Sequence, residues 1–307
     1  MNNNNIHRTE LLFLAAIIAL GLCTALVMSV INHTWQNTDF ADYADDADTY
    51  NRTALLLLER GSFHDEHSLY VGMQRRSPGY SVFLALVYGI FGKTPIAVFA
   101  VHGLIFITAL IVLWMLARSY VPFPYSLVPS LLLSVSWFIA LDVTKLSTEL
   151  LSLLLLLLFV YWFEMFFLSS RPWRALAAGV ALSLFLLIKP AALYVIPLVI
   201  ILIVLRCRKE HFGISWAKTL VFFFIVPAII IGAWSARSII LFDTWQIQSG
   251  SFVLGYRGVE ATRPWDRVAA AFIAGLTGDI VADKFLPGYA HDPEPYPSID
   301  ETTDRFV

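Results

Sequence analysis

Leu11–Ile31 reads LLFLAAIIALGLCTALVMSVI, 21 residues without a charge. Wound as a helix, this stretch rises about 32 Å, enough to cross a hydrocarbon core of about 30 Å. It is too long for the apolar core of a secretion signal, and no small-x-small cleavage site follows it. Leu20-Gly21-Leu22-Cys23 makes a poor lipoprotein signal because a bulky Leu precedes the Cys. The stretch therefore predicts a retained first membrane helix.

The same signal recurs along the chain. Pro95–Ala117, Ser119–Leu141, Leu150–Phe163, Ala175–Ile188, Pro190–Leu205 and Thr219–Ala236 are further uncharged apolar runs. Tyr80–Phe91 (YSVFLALVYGIF) is shorter. At about 18 Å as a helix it cannot span, and it predicts an interfacial or re-entrant segment. Composition agrees: of 307 residues, 58% are hydrophobic and 14% charged, with a mean hydropathy of +0.70. A soluble domain carries about 25% charged residues, so an ordinary cytosolic enzyme is excluded. A net charge of −2 leaves no basic surplus for nucleic acid. Cys23 and Cys207 suit neither a disulfide framework nor a zinc site.

The fold class is thus an all-α integral membrane protein with about seven transmembrane helices and an outer first loop carrying interfacial helices. With the N-terminus inside, Arg118, Arg171/Arg174 and Arg206–Lys209 collect on the inner side, as the positive-inside rule expects. Counting Ser81–Phe91 as a crossing would put the last two clusters outside. We expect residues 1–249 to form the membrane module, with its first outer loop at 32–94, and residues 250–307 to form an outer, partly disordered tail. That tail is acidic, with six acids between Asp283 and Val307. Trp265–Val281 reads as a weak interfacial helix, and Asp292-Pro-Glu-Pro-Tyr-Pro cannot be helical.

Charges that lie off the inner clusters single out candidate functional residues. The first outer loop, Asn32–Pro78, holds eight acids and four arginines. Within it, Asp45, Asp46 and Asp48 precede Tyr50. Asp46 and Tyr50 are four apart and share a face if the segment is helical. The helix that follows should end at Gly61, a residue suited to a left-handed cap. Arg75-Arg76-Ser77-Pro78-Gly79-Tyr80 returns the chain to the membrane, and two outside arginines call for an anionic partner. Asp142, Lys145 and Glu149 lie at outer helix ends, Glu149 opening a helix where its charge suits the dipole. Ala175–Leu205 must go out and back in 31 residues, turning at Lys189-Pro190. Lys189 is then recessed in the membrane, which is costly unless an anion meets it. Trp234 and Arg237 share a helical face at the outer end of the last span. His102 reads as a hydrogen-bonded core histidine and Glu164 as a snorkelling side chain. Asn32-His-Thr and Asn51-Arg-Thr have the glycosylation pattern. No HExxH, GxSxG, P-loop or CxxC pattern occurs.

Carboxylates and cations above an apolar bundle suit chemistry on a lipid-linked phosphate, with the tail between helices and the phosphate on Arg and Lys. The order of motifs resembles the GT-C superfamily of membrane glycosyltransferases, in particular the branch of protein O-mannosyltransferases and lipid A aminoarabinose transferases. The carriers are Asp46-Ala47-Asp48-Thr49-Tyr50 with Gly61, Arg76-Ser77-Pro78-Gly79-Tyr80 with Phe91-Gly92, Thr148-Glu149, and Trp234-Ser-Ala-Arg237. Where that branch often has Arg before Pro, this chain has Lys189-Pro190. Where it usually has Asn after the last Arg, this chain has Ser238.

The resemblance implies an inverting glycosyltransferase with a polyprenyl-phosphate sugar donor and a glycan, lipid or protein acceptor. It would act at the outer face of a bacterial inner membrane, in contact with membrane lipids. Asp46 is then the catalytic candidate, with Asp48 and Asp45 as near rivals. Arg76, Lys189 and Arg237 would bind donor phosphate. Tyr50, Tyr80, Glu149 and Trp234 would position substrate. No cofactor is required, although Mg²⁺ or Mn²⁺ suits three carboxylates at Asp45, Asp46 and Asp48. Members of the branch generally carry further helices and an outer domain, so a short or truncated form is expected. A lipid-linked sugar flippase or transporter and a non-catalytic subunit of the same fold are the alternatives. The uncharged mid-membrane runs weigh against the first of these.

Overall fold

A computed structural model describes residues 3–32, 45–63, 77–209 and 216–242. All of them fall within one compact unit, Met1–Gln248. The expectations for Arg75 and Arg76, Trp265–Val281 and the acidic tail lie outside the described residues. Among those described, every regular element is helical: α1 (Asn3–Ile31), α2 (Asp45–Arg60), α3 (Gly79–Phe91), α4 (Pro95–Arg118), α5 (Val128–Ser134), α6 (Trp137–Asp142), α7 (Glu149–Ser169), α8 (Pro172–Ile188), α9 (Ile196–Lys209) and α10 (Trp216–Phe242). Short 3₁₀ turns at Tyr125–Leu127 and Pro190–Val195 lead into α5 and α9.

Among the described residues, four helices are long and apolar enough to cross a membrane: Arg8–Ile31 within α1, α4, α7, and Trp216–Ile240 within α10. The short stretch before Gly92 behaves as its length dictates. It forms α3, 13 residues long and about 20 Å as a helix, and stops at Gly92, whose φ of +81° a side chain would resist. Lys189-Pro190 is the turn that the hairpin needed. The proline forces Lys189 out of the α region, to φ −125° and ψ 89°, and α8 ends at Ile188.

Ser119–Leu141 is the run that departs from expectation. It is not one helix but a loop with Pro122 and Pro124, a 3₁₀ turn, α5, a break at Val135-Ser136, and α6. Hydropathy sums side chains and is blind to the prolines, which remove backbone donors. Pro129 is accommodated because it falls in the first turn of α5. At the break, the N–H of Ser136 tightens onto Leu133 O before α6 begins.

Small residues let the helices approach. α8 is sandwiched between α7 and α10 with Ala175, Ala178, Gly179 and Ala181 inside. A Cβ on Gly179 would stand 2.6 Å from the Phe223 carbonyl oxygen of α10, so that crossing admits nothing larger. Phe223 is fully buried and packs its ring on Phe163 and Phe166 of α7, both at 5.2 Å between centroids.

Charges settle at two opposite ends. At one, Glu10 meets Arg118 and Glu164 meets Arg206, joining the start of α1 to the end of α4 and the end of α7 to the end of α9. Tyr120, just past α4, reaches Glu164 and Arg206 and so joins the end of α4 to that second pair. Arg118, Arg174 and Arg206 thus gather at one end, the side-by-side clustering that the topology required. The start of α7, the end of α8 and the starts of α3 and α4 lie at the other end.

Candidate functional site

The site is assembled where α2, α3, the α6–α7 turn and the end of α8 converge. α2 forms because DDADTYNRTALLLLER places Ala47, Tyr50, Asn51 and Ala54 at i, i+3, i+4 and i+7, and all four are buried. Their counterpart is α3. The rings of Tyr50 and Tyr80 meet edge to face at 5.1 Å, and Tyr88 Oη donates to Asn51 Oδ1 at 3.0 Å. Asn51 is buried in this contact, which closes its amide to glycosylation in the folded chain. α2 stops where its sequence says it should: Gly61 takes φ +62°, and its N–H caps Leu57 O at 3.0 Å.

α3 is fixed in turn to the end of α8. Ser77 Oγ donates to Ile188 O at 2.8 Å, in the buried interior. A Cβ on Gly79 would fall 2.7 Å from Leu187 O, so Pro78-Gly79-Tyr80 brings backbone against backbone two residues before Lys189. Tyr80 follows, fully buried, with Oη 3.3 Å from His102 Nε2. His102 is the hydrogen-bonded core histidine that the sequence predicted, and its ring stacks on Phe83 at 5.8 Å.

Lys189 meets an anion of the protein's own. Its Nζ donates to Glu149 Oε1 at 2.8 Å, and the side chains are 40% and 46% exposed. The other Glu149 oxygen accepts from Thr148 Oγ1 at 3.3 Å. An ammonium has three N–H donors, so the bond to Glu149 leaves Lys189 with capacity for a further acceptor. Beside the pair, Ser147 Oγ donates to Asp142 Oδ1 at 3.1 Å. Partial burial first, then the nearby Glu149 charge, pushes the Asp142 carboxyl up to about 6, against the opposing pull of the Ser147 bond and the Lys145 and Lys189 cations.

The structure brings the other candidates to the same end in differing states. Asp45 and Asp46 open α2, Asp46 one turn before Tyr50, and their side chains lie outside the described residues. Asp48 faces its own helix: both its oxygens lie within 2.9 Å of Arg52 Nε. Among the described residues, no three His, Cys, Asp or Glu side chains gather as a metal site. At the end of α10, Arg237 lies over the Trp234 ring at 4.5 Å and over Phe63 at 5.5 Å, while Phe63 meets Trp234 edge to face at 5.4 Å. Phe63 thereby ties the segment after α2 to α10. Sequence reasoning missed Phe63, Ser77 and the Tyr88–Asn51 pair, because each acts on a partner far along the chain.

Glu164, read as snorkelling, is instead held at 2.8 Å by Arg206, whose guanidinium lies over Phe163 and Phe167.

A half-exposed lysine–carboxylate pair, aromatic-packed arginine and an acid-rich helix at one end of an apolar bundle are suited to holding an anionic head while its tail lies among helices. No curated protein matches the chain. A family model does match it, over residues 75–234, from the approach to α3 through Glu149 and Lys189 to Trp234. With just over half its length matched, the chain belongs to the dolichyl-phosphate-mannose-protein mannosyltransferase family, within the GT-C superfamily of membrane glycosyltransferases.

Proposed function

We propose that the protein is an inverting glycosyltransferase that moves a sugar from a polyprenyl-phosphate donor to an acceptor hydroxyl, working at the outer face of a bacterial inner membrane. The observation that carries this reading is the Lys189–Glu149 pair, at the end of α8 and nearly half exposed. Glu149 holds the ammonium in place, and the remaining N–H donors meet the donor phosphate. Arg237, with Arg76, adds charge-assisted contacts as the phosphate leaves.

Asp46, at the start of α2, takes the proton of the acceptor hydroxyl. The hydroxyl oxygen bonds to the anomeric carbon as the carbon–oxygen bond to phosphate breaks on the opposite face, which inverts the configuration. Polyprenyl phosphate departs with the bonding pair. Tyr50 and Tyr80 keep α2 in register over α3, and Trp234 keeps Arg237 in place.

Transfer from a panel of radiolabelled polyprenyl-phosphate sugars tests the proposal, beginning with mannose because the family's name carries that donor. Membranes holding the wild type should release label from the lipid, and membranes holding Asp46→Asn should not. Retained transfer in Asp46→Asn would remove Asp46 as the base. No release from any donor by folded wild type would overturn the glycosyltransferase reading.

A further inference from the structure

Asp142 has no place in the mechanism above, yet it sits within the charged cluster that the mechanism uses. It closes α6, the turn after it runs directly into Glu149, and its carboxylate is held by Ser147 two residues before Glu149. Both members of the Lys189–Glu149 pair act on it electrostatically, as does Lys145 in the turn. Around it, α3 contributes Tyr80, which senses Glu149 and the Ser147 backbone. α4 contributes His102, whose ring faces the backbone of Asp142, Val143 and Lys145. α1 packs on α6, and its last turns, from Thr24 to Asn32, bring no ionisable side chain.

We infer that Asp142 sets the net charge beside Lys189 and so governs how tightly this end of the bundle holds a phosphate-bearing lipid. The inference rests on the proposed function, in which Lys189 meets the donor phosphate. With Asp142 ionised, Asp142 and Glu149 balance Lys145 and Lys189, and the cluster is neutral. With Asp142 protonated, the same four groups carry one net positive charge, and a phosphate is favoured.

The direction follows from the raised carboxyl, which is neutral below about pH 6 and charged above it. Phosphate affinity should therefore fall as pH rises through that value. One unit charge across a half-exposed site corresponds to roughly three- to tenfold in affinity. The cluster is thus an affinity control that responds to acidity without touching the sugar.

The test is binding of a radiolabelled undecaprenyl-phosphate sugar, a phosphodiester whose single charge does not change in this range, to the full chain in zwitterionic nanodiscs between pH 5 and 8. Wild type should bind about three- to tenfold more tightly at the acid end. Asp142→Asn keeps an acceptor for Ser147 but carries no charge, so it should bind tightly and evenly across the range. Ser147→Ala removes the hydrogen bond and keeps the charge, so it should retain the pH dependence. A pH profile in Asp142→Asn matching wild type, or one abolished by Ser147→Ala alone, would overturn the inference. Sugar transfer measured alongside separates the two claims. Transfer with a flat wild-type binding profile defeats the role of Asp142 only. Neither transfer nor binding defeats the proposed function and this inference with it.

Discussion

The two ends of the bundle use the same residue types in opposite ways. At the Arg206 end the carboxylates are saturated. Glu10, only 2% exposed, accepts from Trp114 Nε1 at 3.1 Å and Ser126 Oγ at 3.4 Å and faces Arg118 at 3.4 Å. Glu164 is 14% exposed and tied to Arg206, which packs on two phenylalanines. At the Lys189 end the pair is nearly half exposed and sits beside a carboxyl held away from its usual range. Closed pairs hold helices together, because a buried charge without its partner is expensive. Open pairs keep capacity for something that arrives.

That contrast is broken most severely if Lys189 turns out to be structural. Lys189→Ala should lower transfer by about 10²–10³-fold, the usual loss for one contact to a developing charge. Thermal stability should change little, because the exposed Glu149 left behind is resolvated by water. A large drop in melting temperature with a small drop in rate per folded molecule would place Lys189 with the closed pairs.

The converse probe is Arg206→Ala. Glu164 would lose its cation and the two rings their guanidinium. Because Arg206 is itself about a third exposed, the loss is nearer about 2 kcal/mol than the full value for a buried pair. In a chain of 307 residues that is roughly 3 °C in melting temperature. Transfer per folded molecule should stay within about twofold of wild type, since the pair lies at the end remote from Lys189. A stable but inactive Arg206→Ala would mean that the closed end takes part in the reaction.

How much of this division could be read from the chain depends on the range of the interaction. Spans were legible because burial in lipid is a property of each residue summed over a window, and the same summation concealed the breaks in Ser119–Leu141. Gly61 was legible because a left-handed cap is local. The need for an anion at Lys189 followed from its recessed place between two short helices, but its identity did not. Glu149 is 40 residues away on another helix, and only the packing of α7 on α8 brings them together. Glu10 stands at the charged edge of the first span and reads as a flank, yet Trp114 and Ser126, more than 100 residues on, enclose it. The family match tells the same story, since it begins after α2 and so carries Glu149 and Lys189 but not Asp46.

The smallest effect is the one that separates neighbouring acids on α2. Asp46 and Asp48 look equivalent as sequence, two carboxylates in one acid-rich string. The fold divides them: Asp48 is turned to Arg52, one turn on, with both oxygens on the same nitrogen. Such an exposed pair along a helix contributes about 0.3–0.5 kcal/mol. Asp48→Asn should therefore lower stability by no more than that and transfer by less than about threefold, while Asp46→Asn abolishes transfer. Equal loss in both variants would mean that the Arg52 bond opens when substrate enters and that the two acids act together. A silent Asp46→Asn beside an inactive Asp48→Asn would move the base two residues along the helix, leaving the phosphate at Lys189 and changing the face from which the acceptor approaches.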